Sequence, residues 1–113
     1  MITEAFGLPN RFVIHVLGPR YGIDEPAEDL LAACHEGAVV LADEHELSSI
    51  AFPAVSSGAF GYPVAEAAPV ALAAAQRALS GARHVRSVRF VLYGHDERQA
   101  FERAWPELRS AQR

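Results

Sequence analysis

The fold of this chain is decided by one stretch, which reads Ile50-Ala51-Phe52-Pro53-Ala54-Val55-Ser56-Ser57-Gly58-Ala59-Phe60-Gly61-Tyr62-Pro63. Here an apolar strand runs into a short Gly-rich turn, and an Ala-rich helix follows at once. This order places backbone N–H groups and the positive end of a helix dipole at the carboxyl end of a strand, a geometry that holds phosphate and diphosphate groups. The stretch therefore predicts an anion site with the aromatic ring of Phe60 beside it.

The rest of the chain predicts strands and helices in alternation. Periodicity and turn residues predict strands over residues 11–17, 48–55 and 87–93 and helices over residues 26–46, 64–80 and 96–109. This order is typical of an α/β fold with parallel strands. If the strands advance in one direction, right-handed crossovers put the first two helices on one face of the sheet. Only the third helix could then cover the other face.

Length and composition limit what the protein can be. Its 113 residues form at most one domain, and its formal net charge of −4 argues against non-specific binding to nucleic acid. No stretch approaches the roughly 20 apolar residues that cross a membrane, and the N-terminus lacks the features of a signal peptide. We therefore expect a cytoplasmic protein. The single cysteine, Cys34, has no metal-binding spacing around it, and we expect it to be a buried structural thiol.

Two stretches carry a resemblance to a known family. One is Leu8-Pro9-Asn10-Arg11-Phe12-Val13-Ile14-His15-Val16-Leu17-Gly18-Pro19, and the other is residues 49–63, which include the Gly-rich turn. Together with the strand at 88–93 and the helix after it, they resemble the macro domain family of ADP-ribose-binding modules. The likeness is greatest to its branch of ADP-ribosyl hydrolases and O-acetyl-ADP-ribose deacetylases. It implies a three-layer α/β/α fold in which residues 1–113 form a single partial domain, truncated at the N-terminus.

The resemblance also implies a ligand site. It assigns the diphosphate of ADP-ribose to the backbone N–H groups of Ser56, Ser57, Gly58, Ala59, Phe60 and Gly61. It places Phe60 against the distal ribose and Tyr93 against the adenine, and we expect neither a metal nor a cofactor. From the residues alone, two plainer interpretations stay open: a strand-to-helix turn whose glycines serve only its geometry, and a strand-end Tyr93 that covers the core.

The family's N-terminal half has no counterpart in this sequence. In the family, that half supplies an Asp for the adenine amino group, an Asn-bearing strand end and a Gly-rich loop with an acidic residue implicated in catalysis. It also supplies a strand that lies between those matching residues 12–17 and 50–55. The chain must close that gap directly, recruit a strand from a partner, or derive from a truncated or misassigned reading frame. Because unpaired strand edges promote association, we expect a homo-oligomer or the remnant of a longer protein.

The remaining chemistry-bearing residues identify no catalytic group. Asp24 is the one acidic residue in a loop at the carboxyl end of a strand, and nothing in the sequence ties it to a reaction. We expect His15 to be a core histidine and Glu66 to face solvent. We expect surface positions for His35, His45, His84 and His95, and core positions for Phe101 and Trp105.

Three functions remain in competition. The first is a module that binds ADP-ribose or a related ADP-ribosyl metabolite. The second is a hydrolase that removes ADP-ribose from proteins or deacetylates O-acetyl-ADP-ribose. The third is a degenerate fragment that oligomerises and binds nothing.

Overall fold

A computed structural model describes residues 2–4, 12–14, 18–55, 60–92 and 94–111, with side chains at 18–55, 60–92 and 94–105. The elements in chain order are β1 Ile2–Glu4, β2 Phe12–Ile14, α1 Ala27–Glu44, β3 Ser49–Phe52, α2 Val64–Ser80, β4 Ser87–Phe90 and α3 His95–Ala111. The fold is α/β, as the sequence predicts, and α2 has the bounds expected from the sequence. β3 is shorter than expected because Pro53, which has no N–H to donate to a ladder, follows it directly.

The strands form two pairs. β3 runs parallel to β4, with Ser49 opposite Ser87 and Phe52 opposite Phe90, so the expected parallel pairing is confirmed there. β1, which the sequence does not predict, runs antiparallel to β2. Residues 5–11 are too few for a parallel crossover, which needs about a dozen residues or more. Within the described ranges, β2 and β3 are not hydrogen-bonded to each other.

The core lies on one face of the β3–β4 pair. Phe52 is buried and Phe90 is half-buried, whereas the alternate residues Ser49, Ala51 and Arg89 are exposed. The α1 side chains Leu31, His35, Ala38, Val39 and Ala42 are buried at helical spacing. Part of this stripe packs in one cluster with Phe52 and Val85, and the α1 residues in that cluster are Ala38, Val39 and Ala42. The helix therefore buries a continuous stripe over the sheet.

The second helix packs through small side chains. Its buried residues are Ala67, Ala68, Ala71, Leu72, Ala74 and Ala75, and it contacts both α1 and α3. Alanine allows close approach of helix backbones on either side, which explains the unusual composition of this segment. The third helix lies beside α2 through Phe101 and Ala104, with the Phe101 ring 5.0 Å from that of Phe90. It therefore contacts the same face of the β3–β4 pair as the first two helices, so the expectation that this helix could cover the other face is wrong.

One expectation about α3 is wrong. Trp105 is 42% exposed, whereas Phe101 and Ala104 are buried. The contact with α2 is made through Phe101 and Ala104, and Trp105 is turned by about 100° around the helix axis from Ala104. Trp105 therefore lies at the margin of the apolar face.

A carboxylate joins the end of α1 to the start of β4. Asp43 accepts hydrogen bonds from the backbone N–H groups of Arg83, His84 and Val85 at 3.1, 2.6 and 2.9 Å. These bonds hold the pKa of the Asp43 carboxyl below its ordinary value, with the bond from Val85 contributing most. These three hydrogen bonds fix the position of the segment before β4 relative to α1.

Across the described part of the chain, no helix is both long enough and apolar enough to span a membrane.

Candidate functional site

The predicted phosphate loop lies between β3 and α2. Of the six residues assigned to it, Phe60 and Gly61 are described, whereas Ser56, Ser57, Gly58 and Ala59 lie outside the described residues. Tyr93, the predicted adenine contact, and His15 also lie outside them. The geometry of the site is therefore given by the carboxyl-terminal end of the loop and by the elements around it.

The loop ends in a glycine turn that leads into α2. Gly61 has a φ of +72°, in the left-handed region that glycine occupies without a steric penalty. Pro63 stands at the N-cap of α2, and its carbonyl accepts the N–H groups of Glu66 and Ala67. Glu66 lies in the first turn, where a negative side chain stabilises the positive end of the helix dipole. It is exposed, as expected.

A second loop, the turn at residues 20–24 after β2, meets the end of the phosphate loop. The backbone N–H of Tyr21 donates to the carbonyl of Phe60 at 3.0 Å. This bond links the segment that follows β2 to the segment that follows β3. The segments that follow the two strands therefore meet on the carboxyl-terminal side of β3, where α/β folds bind their ligands.

Two tyrosines pack at this junction. The ring of Tyr62 is buried against Ala27, Leu31 and Ala67, and the ring of Tyr21 lies 4.9 Å from it, between centroids. The charge of Glu66 raises the pKa of Tyr21, and burial raises the pKa of Tyr62, so both phenols are neutral at physiological pH. The sequence pattern alone assigns no role to either tyrosine. Each of the two loops that follow strands nevertheless carries a tyrosine, and this was the feature that could have indicated their contact.

Asp24 is engaged in holding its own turn. Its carboxylate accepts hydrogen bonds from Arg20 at the backbone N, Nε and Nη2, at 2.9, 3.0 and 3.1 Å. The hydrogen bond from the Arg20 side chain is the largest cause that lowers the pKa of Asp24. A carboxylate held in this way is a poor general base, because proton transfer would break these bonds. Asp24 thus shapes the turn that carries Tyr21.

His35 is buried, and the expectation that it lies on the surface is wrong. The side chain is 1% exposed, and its ring centroid lies 4.8 Å from that of Phe52. Nδ1 lies 2.9 Å from the carbonyl oxygen of Leu31, which requires the N–H on Nδ1. Nε2 has no hydrogen-bond partner among the described residues, and burial lowers the pKa of His35. His35 lies four residues from both Leu31 and Val39 in sequence, and this helical spacing could have predicted its burial.

The remaining candidates add no catalytic group. Cys34 is half-buried, and this burial raises the pKa of its thiol, which is therefore protonated at neutral pH. Over the residues with described positions, no group of three His, Cys, Asp or Glu side chains could hold a metal ion.

Known proteins with similar sequences and structures agree on one family. The Macro domain family model matches residues 1–71. A macro domain-containing protein of Caldanaerobacter subterraneus is 38% identical over 109 residues, which are 96% of this chain and 62% of that protein. A protein-ADP-ribose hydrolase of Staphylococcus aureus is 32% identical over 107 residues, which are 92% of this chain and 40% of that protein.

Solved structures give the same result. A mutant macrodomain of Oceanobacillus iheyensis, crystallised with ADP-ribose, has a TM-score of 0.90 and 35% identity, covering 97% of this chain and 59% of that one. A Trypanosoma brucei macrodomain in complex with ADP-ribose has a TM-score of 0.79 and 32% identity, covering 92% of this chain and 44% of that one. The chain belongs to the macro domain family, as the sequence motifs predicted. The chain spans 62% of the length of the Caldanaerobacter subterraneus protein and 59% of the length of the Oceanobacillus iheyensis macrodomain.

Proposed function

We propose that this chain binds ADP-ribose or a related ADP-ribosyl metabolite and holds the diphosphate on the backbone N–H groups of residues 56–61. The observation that carries the proposal is the likeness, over 97% of the chain at a TM-score of 0.90, to a macrodomain crystallised with ADP-ribose. In this proposal Phe60 contacts the distal ribose and Tyr93 packs against the adenine.

The described end of the loop supports the proposal on physical grounds. A Gly-rich turn at a helix N-terminus favours an anion, because backbone N–H groups and the helix dipole both point at it. Gly61 supplies the left-handed conformation, and the bond from Tyr21 to Phe60 fixes the end of the loop against a second loop. Binding to such a loop needs no charged side chain.

Calorimetric titration with ADP-ribose tests this function. We expect saturable heat in the intact chain and weaker binding in Phe60→Ala, which removes the ring next to the phosphate loop. Trp105→Ala is the matched control, because it removes another partly exposed aromatic ring from a different element, α3. Absence of heat at millimolar ADP-ribose would reject the proposal and leave the interpretation as a non-binding fragment.

A second candidate function is hydrolysis of ADP-ribosyl bonds. It is favoured by the likeness to the Staphylococcus aureus protein-ADP-ribose hydrolase. A hydrolase needs a base or a positioned carboxylate within hydrogen-bond reach of the attacking water. Asp24, the acidic residue of the neighbouring turn, is held by Arg20 instead.

Release of ADP-ribose from a mono-ADP-ribosylated protein separates the two candidates, with deacetylation of O-acetyl-ADP-ribose as a second substrate. Turnover that is lost in Phe60→Ala and kept in Trp105→Ala would support the hydrolase. Binding without turnover on either substrate would leave the chain a binding module.

We also propose that the chain associates with a second copy of itself. Among the described strands, β2 pairs only with β1 and β3 only with β4, so each has an edge that no described strand covers. Light scattering tests this, and a single monomeric mass across concentrations would overturn it. Ala51→Lys places a charge on the exposed side of β3 and should shift a dimer towards monomer, whereas Ala65→Lys, at an exposed position of α2, should not.

A further inference from the structure

Tyr21 makes three separate contacts with the segment that joins the phosphate loop to α2. Its N–H donates to the Phe60 carbonyl at 3.0 Å. Its ring lies 4.9 Å from the ring of Tyr62, at an interplanar angle of 53°. Its hydroxyl lies 3.4 and 3.3 Å from the two carboxylate oxygens of Glu66. The contacts fall before Gly61, just after it, and in the first turn of the helix.

Packing of the core does not account for this arrangement. Tyr21 is 42% exposed, and an exposed tyrosine in a turn has many side-chain rotamers available to it. The ring nevertheless lies over Tyr62, which is 4% exposed and fixed by the start of α1. The turn that carries Tyr21 is itself closed by the contacts of Asp24 with Arg20. A fixed turn therefore holds Tyr21 against the fixed ring of Tyr62, and Gly61 lies in sequence between the two residues that Tyr21 contacts, Phe60 and Tyr62.

We propose that Tyr21 is a positioning residue that holds the carboxyl-terminal end of the phosphate loop in its ligand-binding conformation. Gly61 has wide conformational freedom, so the orientation of the Phe60 peptide needs an external restraint. Tyr21 supplies that restraint on both sides of the glycine. The inference rests on the proposed binding of ADP-ribose only for its effect on affinity.

The three contacts differ in strength. The N–H bond to Phe60 has ordinary length, whereas the hydroxyl distances to Glu66 are long for an O–H···O bond, whose usual separation is about 2.7–2.8 Å. The ring contact with Tyr62 is a tilted aromatic pair at a favourable centroid distance. We therefore assign the restraint to the backbone bond and the ring, and only a small part to the hydroxyl.

Amide hydrogen exchange tests the restraint without any ligand. In the intact chain the amide of Tyr21 should exchange slowly, because it donates to Phe60. In Tyr21→Ala the backbone donor is kept and the ring is lost, so we expect faster exchange at position 21 with unchanged exchange in the middle of α1. Tyr21→Phe keeps the ring and should restore slow exchange. Ile23→Ala is the matched control, because it removes a 66% exposed side chain from the same turn.

Titration with ADP-ribose then tests the consequence for binding. We expect Tyr21→Ala to weaken affinity roughly two- to tenfold, the range that corresponds to loss of one aromatic pair contact. Tyr21→Phe and Ile23→Ala should stay within about twofold of the intact chain, as changes that spare that contact.

The outcomes separate the positioning role from the function itself. The positioning role would be overturned if the amide of residue 21 exchanged as slowly in Tyr21→Ala as in Ile23→Ala. So would faster exchange that extends equally through α1, because it would mean a general loss of stability. If the intact chain binds no ADP-ribose, the proposed function fails, and exchange at position 21 still decides whether Tyr21 restrains the loop.

Discussion

His35 shows how one side chain can belong to the core and still carry a titratable group. Its ring fills the space between Leu31 and Phe52, and the N–H on Nδ1 is satisfied within the helix. Burial favours the neutral form, so the pKa of His35 in the folded chain lies below its value of about 6.5 in an unfolded chain. Protonation of Nε2 would place a charge among aromatic rings.

The stability of the protein should therefore fall as the pH drops below about 6.5. In that range the unfolded chain binds a proton at His35 and the folded chain does not, and each such proton contributes up to about 1.4 kcal/mol per pH unit. Urea unfolding at several pH values between 7.5 and 5 measures this slope, and His35→Leu should flatten it. His84→Leu, at an exposed histidine, should keep the wild-type slope, and an equal flattening in both variants would show that the effect does not come from His35.

The elements are held in register by contacts that periodicity does not reveal. Residues 64–80 have helical spacing throughout, so α2 was predictable to its bounds. The hydrogen bonds that Asp43 accepts join positions 40 or more residues apart in sequence, and no local sequence pattern predicts them. In the same way, the apolar stripe of α3 predicted burial for both Phe101 and Trp105, but packing against alanines buries only the first.

Asp43→Ala should destabilise the protein, because the backbone N–H groups of residues 83–85, just before β4, lose their acceptor. The pKa of Asp43 is lowered in the folded state, so its contribution is complete above the unfolded value near 3.8 and is lost as the pH falls through the folded value. Urea unfolding at pH 7 should show a lower midpoint in the variant. Glu44→Ala, at the neighbouring exposed position, is the control and should leave the midpoint unchanged.

The alanine face of α2 should not tolerate larger side chains. Ala71 is 2% exposed and packs in one cluster with Phe101 and Ala104 of α3. Ala71→Leu should therefore lower the free energy of unfolding by about 1–3 kcal/mol, the usual cost of overpacking a filled core. Ala65→Leu, at an exposed position of the same helix, should change it by less than about 0.5 kcal/mol. If Ala71→Leu had the same free energy of unfolding as the intact chain, α2 and α3 would be less closely packed than the contacts of Ala71 indicate.

The whole molecule combines a core that sequence patterns predict with a site that they predict only in part. The alternation of strands and helices and the Gly-rich turn were sufficient for the fold class and the family, because both are local patterns. The antiparallel β1 was missed because three residues carry too little periodicity. The contacts of Tyr21 with Phe60, Tyr62 and Glu66 bring together separate segments, and only the folded chain shows them.

At the scale of the whole molecule, we propose that this chain binds ADP-ribose through the loop at residues 56–61. Calorimetric titration of the intact chain with ADP-ribose tests it most directly, with Phe60→Ala and Trp105→Ala alongside. We expect saturable binding that weakens in Phe60→Ala and persists in Trp105→Ala. A flat titration at millimolar ADP-ribose, or equal affinity in all three proteins, would contradict it.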